Sequence, residues 1–266
     1  MSESNPLLVA DLSEALLDLI GEDASVVDAI EVGHWLSVGQ ITQYRRILPD
    51  LPFIFHGSNM VAEVGKNSGV EESFQAYLAC TNSPWISVHL MVWEAGDFDR
   101  LMHGERLPLP DPEQALDRLL WRLERLVKMV PVPVLVENIE PLPFAGYDYW
   151  SRPEYIRQVL EKSGCGFLLD TGHLRVSADR LGMDVETYLE QLPLERVVEV
   201  HASGPRRRKG RLVDAHASLQ EVDYKLLEVL LSRQTPQVVT LEYIHGQEQL
   251  SKQLQHLRKL PGWGAS

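Results

Sequence analysis

The sequence predicts a single (β/α)₈ barrel, and two features carry that expectation: eight short β-rich runs, and helical segments that alternate with them along all 266 residues. The runs are LLVA (7–10), VVDAIEV (26–32), PFIFH (52–56), WISVH (85–89), PVLVE (133–137), GFLLD (166–170), RVVEV (196–200) and QVVTLE (237–242). Most are apolar at successive positions, as strands covered on both faces of a parallel sheet are. A barrel of about 250 residues folds as one domain. No composition break, repeat or low-complexity linker divides the chain, so residues 1–266 are expected to form one unit with its functional rim at the C-terminal ends of the strands.

Between the runs lie helix signals. Asp111-Pro112 opens a segment in which Leu116, Leu119, Leu120, Leu123, Leu126 and Val127 keep the 3.6-residue period until Pro131. Ser151 and Glu154 have the spacing of a capping box ahead of YIRQVLEK, and Gly164 follows its end. The stretch 57–84 reads as irregular.

Composition narrows the function classes. Hydrophobic residues make up 44% and charged residues 24%, and no apolar run approaches the roughly 18 residues of a membrane span. The N-terminal stretch has no basic region ahead of its apolar residues, against a signal peptide, so a cytoplasmic location is expected. Cys80 and Cys165 stand far apart, which argues against a disulfide framework or a thiolate zinc site. A net charge of −13 disfavours nucleic acid as a partner.

Barrel chemistry sits where the strands end. The third run ends in His56, the fourth in His89, the fifth in Glu137-Asn138, the sixth in Asp170 with His173 beyond it, the seventh at His201 and the eighth in Glu242. The following loop, HASGPRRRKGRLVDAH, adds Asp214 and His216, two apart, so an extended backbone points both the same way. Each alone has a bland explanation as a rim hydrogen bond, helix cap or solvated turn. Nine imidazoles and carboxylates converging on one rim would repel and resist desolvation unless paired, and metal ions are the usual remedy. Three or four protein donors serve one catalytic ion, so nine suit two or three ions with bridging carboxylates. Iron, manganese or zinc fits a donor set without thiolate. Glu31 and His34, at the end of the second run, are expected beside the site rather than on a metal.

VENI (136–139), LLDTGHLRVSA (168–178), YLEQLPLERVVEVHASG (188–204), LVDAH (212–216) and LEY (241–243) together carry a resemblance. From about residue 26 to 243 the chain resembles the multinuclear non-haem iron-dependent oxidases, a branch of the xylose-isomerase-like TIM barrels. By that resemblance Glu137, Asp170, His201 and Glu242 form the catalytic set and hold a first ion. His56 and His89, with Glu137 as a bridge, hold a second, and His173, Asp214 and His216 hold a third. Asn138 is an added contact to the cofactor or its ligands. Many relatives carry Asn where His173 stands, and FIFHGSNM replaces a longer glycine-rich stretch; His173 thus favours a third ion here.

The resemblance implies iron in mixed oxidation states that activates dioxygen and oxidises a cysteine-containing, ribosomally made peptide whose thiolate binds an iron, often with a small partner protein presenting the peptide. The same donors could serve a trinuclear zinc phosphodiesterase similar to endonuclease IV, which should show a basic groove. A sugar isomerase or epimerase of this barrel class would leave His173, Asp214 and His216 unexplained. RRRKGR (206–211) reads first as a solvated, mobile basic loop and second as a gate for an acidic peptide or carboxylate. Trp35, Trp93 and Tyr243 are expected either to floor a substrate pocket or to fill space beside the barrel.

Overall fold

In the computed structural model, which describes residues 5–263 apart from 92, 95, 98, 99, 101, 102, 109, 110 and 142–147, eight parallel strands close into a barrel. The strands in chain order are β1 (Leu7–Asp11), β2 (Ala29–Gly33), β3 (Phe53–His56), β4 (Ile86–His89), β5 (Val134–Glu137), β6 (Gly166–Asp170), β7 (Val197–Ala202), β8 (Gly204–Arg208), β9 (Arg211–Ala217) and β10 (Val238–Leu241). The barrel runs β1-β10-β7-β6-β5-β4-β3-β2, and β8 and β9 form a separate two-stranded sheet. The helices are α1 (Glu14–Glu22), α2 (Val38–Ile47), α3 (Val70–Thr81), α4 (Pro112–Met129), α5 (Pro153–Ser163), α6 (Thr171–Leu181), α7 (Val185–Gln191), α8 (Glu221–Arg233) and α9 (Gln247–Leu257).

Strand periodicity of two sorts each strand's side chains between two environments. Outward residues such as Leu8, Ile30, Phe55, Val88, Val136 and Leu169 join the helix layer in one large core, into which α4 sets Leu116, Leu119, Leu123 and Leu126. Inward residues Val9, Ala29, Ile54, Trp85, Leu135, Leu168 and Val238 fill the barrel interior. Two positions further along the same strands, the inward series becomes Asp11, Glu31, His56, Ser87, Glu137, Asp170 and Thr240, all buried. An apolar plug thus lies beneath a polar layer, and the rim chemistry stands on that plug.

All eight predicted runs coincide with barrel strands, with shifted ends: β2 starts at Ala29 rather than 26, and β7 extends to Ala202, so His201 lies within the strand. Three local expectations are corrected. The stretch 57–84 holds a 3₁₀ turn over Ser58–Glu63 and the helix α3, whose start is hidden in sequence because its cap is Gly69 at φ 76°, with no side-chain cap bond. Ser151 does not cap α5. It ends a short 3₁₀ turn and its hydroxyl donates to Asp148 O at 2.8 Å, while Pro153 opens the helix behind Arg152.

The basic loop is a β-hairpin. Lys209 (φ 50°) and Gly210 (φ 81°) make its two-residue turn, and left-handed backbone at both positions matches the twist of the flanking strands. Arg207 reaches Asp179 on α6 at 2.6 Å, and Arg206 donates to Ser218 O at 2.5 Å. The ladder closes at Gly204, opposite Ala217, where a Cβ would lie 2.2 Å from Ala217 O. Gly204→Ala should therefore cost about 1–3 kcal/mol of stability and expose the hairpin to protease. Denaturant unfolding and limited trypsin digestion between residues 206 and 211 read these effects.

Candidate metal centre

Three groups of side chains converge at the C-terminal rim. In the first, His56 Nε2 and His89 Nε2 lie 3.2 Å apart, and each is 3.3 Å from Glu137 Oε2. Asn59 Oδ1 is 2.8 Å from His89 Nδ1, and Ser87 Oγ is 2.8 Å from His56 Nδ1. With the ring protons donated outward to these oxygens, both Nε2 lone pairs point at a carboxylate oxygen that is buried and has no hydrogen-bond partner. Three acceptors facing one another repel unless a cation lies among them. A triangle of this size places its centre about 2 Å from each corner, the length of a metal–nitrogen or metal–oxygen bond.

Asp170, His201 and Glu242 form the second group. His201 Nε2 donates to Glu31 Oε2 at 3.0 Å, leaving Nδ1 3.1 Å from Glu242 Oε1. His201 Nδ1, Asp170 Oδ2 and Glu242 Oε2 are all buried without a hydrogen-bond partner. The other oxygen of Glu137 turns this way: Oε1 lies 3.9 Å from His201 Nδ1 and 3.4 Å from His173 Nδ1. Glu137 thus stands between the two groups with one oxygen on each.

His173, Asp214 and His216 make the third group. His173 Nδ1 donates to Asn138 O at 2.9 Å, which frees Nε2, 4.0 Å from Asp214 Oδ2 and 3.2 Å from Glu140 Oε2. His216 Nε2 sits 2.8 Å from Asp214 Oδ2, and its backbone is held at φ 40°, rare for a side chain of this size. Asp170 both caps α6, accepting from His173 N, and aims its other oxygen into the second group. The capping expectation for this residue is met, and its second oxygen is buried without a hydrogen-bond partner. Gly172 lies within α6 and provides room rather than a turn, since a Cβ there would stand 2.0 Å from Ser203 Oγ.

Burial opposes charge throughout the centre; neighbouring groups outweigh it at Glu137 and His216, and burial prevails at His56 and Asp170. Burial would raise the Glu137 carboxyl, but the imidazoles of His89 and His56 outweigh it and hold it at about 2. Burial drives His56 down to about 3. The Glu242 carboxylate lifts His216 to about 10 against burial, with Asp214 adding to the effect. Burial raises Asp170 well above the usual carboxylate range.

All nine sequence-predicted donors fall into these three groups. Asn138 contacts the backbone of the candidate ligand Asp170: its amide donates to Asp170 O at 3.0 Å and accepts from Asp170 N at 2.9 Å, so it splints β5 to β6. Glu31 lies against His201 and, with Glu199 and His201, forms a further group that could hold a metal ion. Sequence reasoning missed Glu199, which takes Trp85 Nε1–H at 2.8 Å and a Thr240 hydroxyl at 3.1 Å beneath His201. It also missed Asn59, Glu140 and Asp11. A signal existed for two of them: Glu199 has the inward parity of His201, and Asp11 closes its strand as the other rim residues do.

Above the groups opens a cavity of about 790 Å³ that includes Trp35 and Trp93 in its lining, whereas Tyr243 is buried edge-on to His245. Trp93 packs edge-on to Trp150 at 5.3 Å.

The fold and this centre define a xylose-isomerase-like TIM barrel whose rim carries several groups of side chains that could hold metal ions. Residues 17–261 match the family described as RiPP precursor modification enzyme MbnB/TglH/ChrH, RiPP denoting a ribosomally synthesised and post-translationally modified peptide, and the chain belongs to that family. A UPF0276 protein of Caulobacter sp. (strain K31) is 34% identical over 141 residues, 51% of each chain. One from Pseudomonas aeruginosa is 25% identical over 215 residues, 78% of this chain and 74% of that one. The chain spans between about half and three fifths of the length of the first such relatives, 51%, 60% and 61%. Among solved structures, a D-tagatose 3-epimerase-like protein superposes with a TM-score of 0.62 at 17% identity, covering 96% of both chains. A putative xylose isomerase from Rhodospirillum rubrum gives 0.62 at 12% identity, covering 97% of this chain and 100% of that one; these likenesses establish the fold. Among the described residues no helix is long and apolar enough to cross a membrane.

The splint yields a direct expectation. Asn138→Ala leaves the buried Asp170 N–H and C=O without their partner, and should cost about 2 kcal/mol, read by urea unfolding of the metal-free protein.

Proposed function

We propose that this protein is a multinuclear non-haem iron oxidase, with two or three ions per chain, that uses dioxygen to modify a cysteine-containing, ribosomally made peptide. The observation that carries the metal reading is the convergence of His56 Nε2, His89 Nε2 and Glu137 Oε2 at 3.2–3.3 Å with no proton to share. The family carries the peptide. His56, His89 and Glu137 would hold one ion, Glu137 with Asp170, His201 and Glu242 another, and His173, Asp214 and His216 a third. Bound there, iron supplies dioxygen activation and the oxidising equivalents.

The chain's own residues do the remaining work. Glu31, Asn59, Ser87 and the Asn138 carbonyl take the outward ring protons of buried His201, half-buried His89, buried His56 and buried His173, so each presents a lone pair to the centre in a fixed orientation. Met91, Trp93, Ile139 and Trp150 supply apolar cavity wall that excludes water. Cys80 and Cys165 lie outside all three groups, so a thiolate at this centre arrives with the substrate. Apolar walls also suit a peptide better than the sugar or phosphodiester of the competing barrel chemistries.

Elemental analysis after anaerobic reconstitution with ferrous iron should give at least two ions per chain; one or none rejects the reading. Zinc alone with phosphodiesterase activity would replace it with the hydrolase. Glu137→Gln should lose more metal than His173→Ala, because Glu137 faces two groups and His173 serves the third. Equal losses of one ion from each variant would remove the bridge.

Metal uptake at the third group should also depend on pH. His216, held at about 10, is protonated at neutral pH in the metal-free protein and must lose that proton on binding. His173, lifted against burial well above its ordinary value by Asp170 and Glu140, must also lose a proton, so affinity at this group should fall as pH drops from 8 to 6.5, with proton release that is reduced, not abolished, in His216→Ala. Calorimetry in buffers of different ionisation enthalpy measures it.

A further inference from the structure

The candidate donors are unevenly distributed around the barrel. Six contiguous strands, β3, β4, β5, β6, β7 and β10, carry at their ends His56, His89, Glu137, Asp170, His201 and Glu242. The remaining arc, β1 and β2, carries none of the nine. The cavity nevertheless extends over this arc, where its lining includes Asp11, Leu12 and Trp35, with Ile244 from the adjoining β10 end.

This arc is built to receive something. Trp35 and Ile244 are each 52% exposed, although both are large apolar side chains lining the cavity beside the buried centre. The Trp35 ring lies over Gly33, where a Cβ would meet ring carbons at 1.8 Å and 2.1 Å, so Gly33 is the seat of the ring. The turn carrying it is fixed on both sides: Leu36 N donates to Gly33 O at 3.0 Å, and the Tyr77 hydroxyl donates to Leu36 O at 2.9 Å. The exposed ring is therefore held in place without a bound partner, which lowers the ordering cost of binding. Its centroid stands 6.4 Å from that of His56, beside the first group of donors. Between Trp35 and Ile244, Asp11 brings a buried carboxyl to the cavity with one oxygen unpartnered.

We propose that the β1–β2 arc is the peptide subsite, in which Trp35 and Ile244 hold an apolar or aromatic side chain adjacent to the reacting cysteine and Asp11 accepts a hydrogen bond from a substrate N–H. The inference rests on the peptide-oxidase reading and specifies the substrate class. A side chain seated on this arc can lie beside the donor groups without displacing any of the nine candidate ligands. A flat ring next to the centre favours an aromatic neighbour by offset or edge-on contact.

Binding of three blocked tripeptides, Phe-Cys-Phe, Ala-Cys-Ala and Phe-Ser-Phe, tests it by calorimetry with metal-free protein and with ferrous-loaded protein kept anaerobic. Both forms should bind Phe-Cys-Phe roughly tenfold or more tightly than Ala-Cys-Ala, and Trp35→Ala or Gly33→Ala should erase the difference at unchanged metal content. Asp11→Ala should weaken all three peptides by roughly tenfold, and Asp11→Asn, which keeps an acceptor oxygen, should restore most of the loss. Equal binding of the first two peptides, a preference that survives in Trp35→Ala, or no effect of Asp11→Ala overturns the subsite. The peptide-thiol reading fails separately, if the ferrous-loaded protein does not distinguish Phe-Cys-Phe from Phe-Ser-Phe while the aromatic preference persists.

Discussion

The Glu137 carboxylate is the interaction on which the centre is organised. Its Oε2 faces two imidazoles from β3 and β4, and its Oε1 faces those of His201 and His173. One side chain thus presents an oxygen to imidazoles on both sides. Its side chain is 1% exposed, so burial alone would favour the neutral acid, yet the surrounding imidazoles keep it ionised. The neighbouring strands follow from this residue. β4 pairs with β5 so that His89 lies opposite Glu137, and Asn138, the next residue, ties the end of β6 to the same height. A shift of β5 by one residue against its neighbours would turn Glu137 outward into the helix layer.

Beneath the rim, the polar side chains act as supports. Glu31 fixes the His201 ring through Nε2, and Glu199 is itself held by Trp85 and Thr240, so the barrel interior contains a connected hydrogen-bonded stack rather than isolated charges. Arg175 forms a similar support outside the barrel through its ion pair with Asp223, linking α6 to the start of α8. These contacts explain why the rim groups keep their aim although so many of them are buried and ionisable.

Much of this architecture was legible because a barrel strand shows its parity in sequence. FLLD, VLVE and FIFH each run through apolar residues to a polar terminus, and placing those termini at one rim was enough to gather the donors. Other features required partners distant in the chain. That Asn138 would bind the backbone of Asp170 depends on β5 and β6 lying side by side, and nothing in VENI specifies it. Glu199 looked like one more residue of a strand until Trp85, 114 positions away, was placed against it. The hairpin was obscured by its charge: five basic residues suggest solvent, while the left-handed turn at Lys209-Gly210 and the anchors at Asp179 and Ser218 organise the segment. Ser151 shows the converse error, a correct local spacing overruled by the proline that starts the helix.

Two of the third group's three donors, Asp214 and His216, reside on the β8–β9 hairpin, which is outside the closed barrel ladder. The barrel's hydrogen bonding and core are complete without this appendage, so its residues can vary under far weaker folding constraints than those of the strands. Evolution could accordingly lengthen, shorten or recompose the hairpin and so add, remove or alter one candidate group while the other two persist. The architecture separates a floor fixed by the barrel from an interchangeable side wall, which is a route to diversifying chemistry within one scaffold.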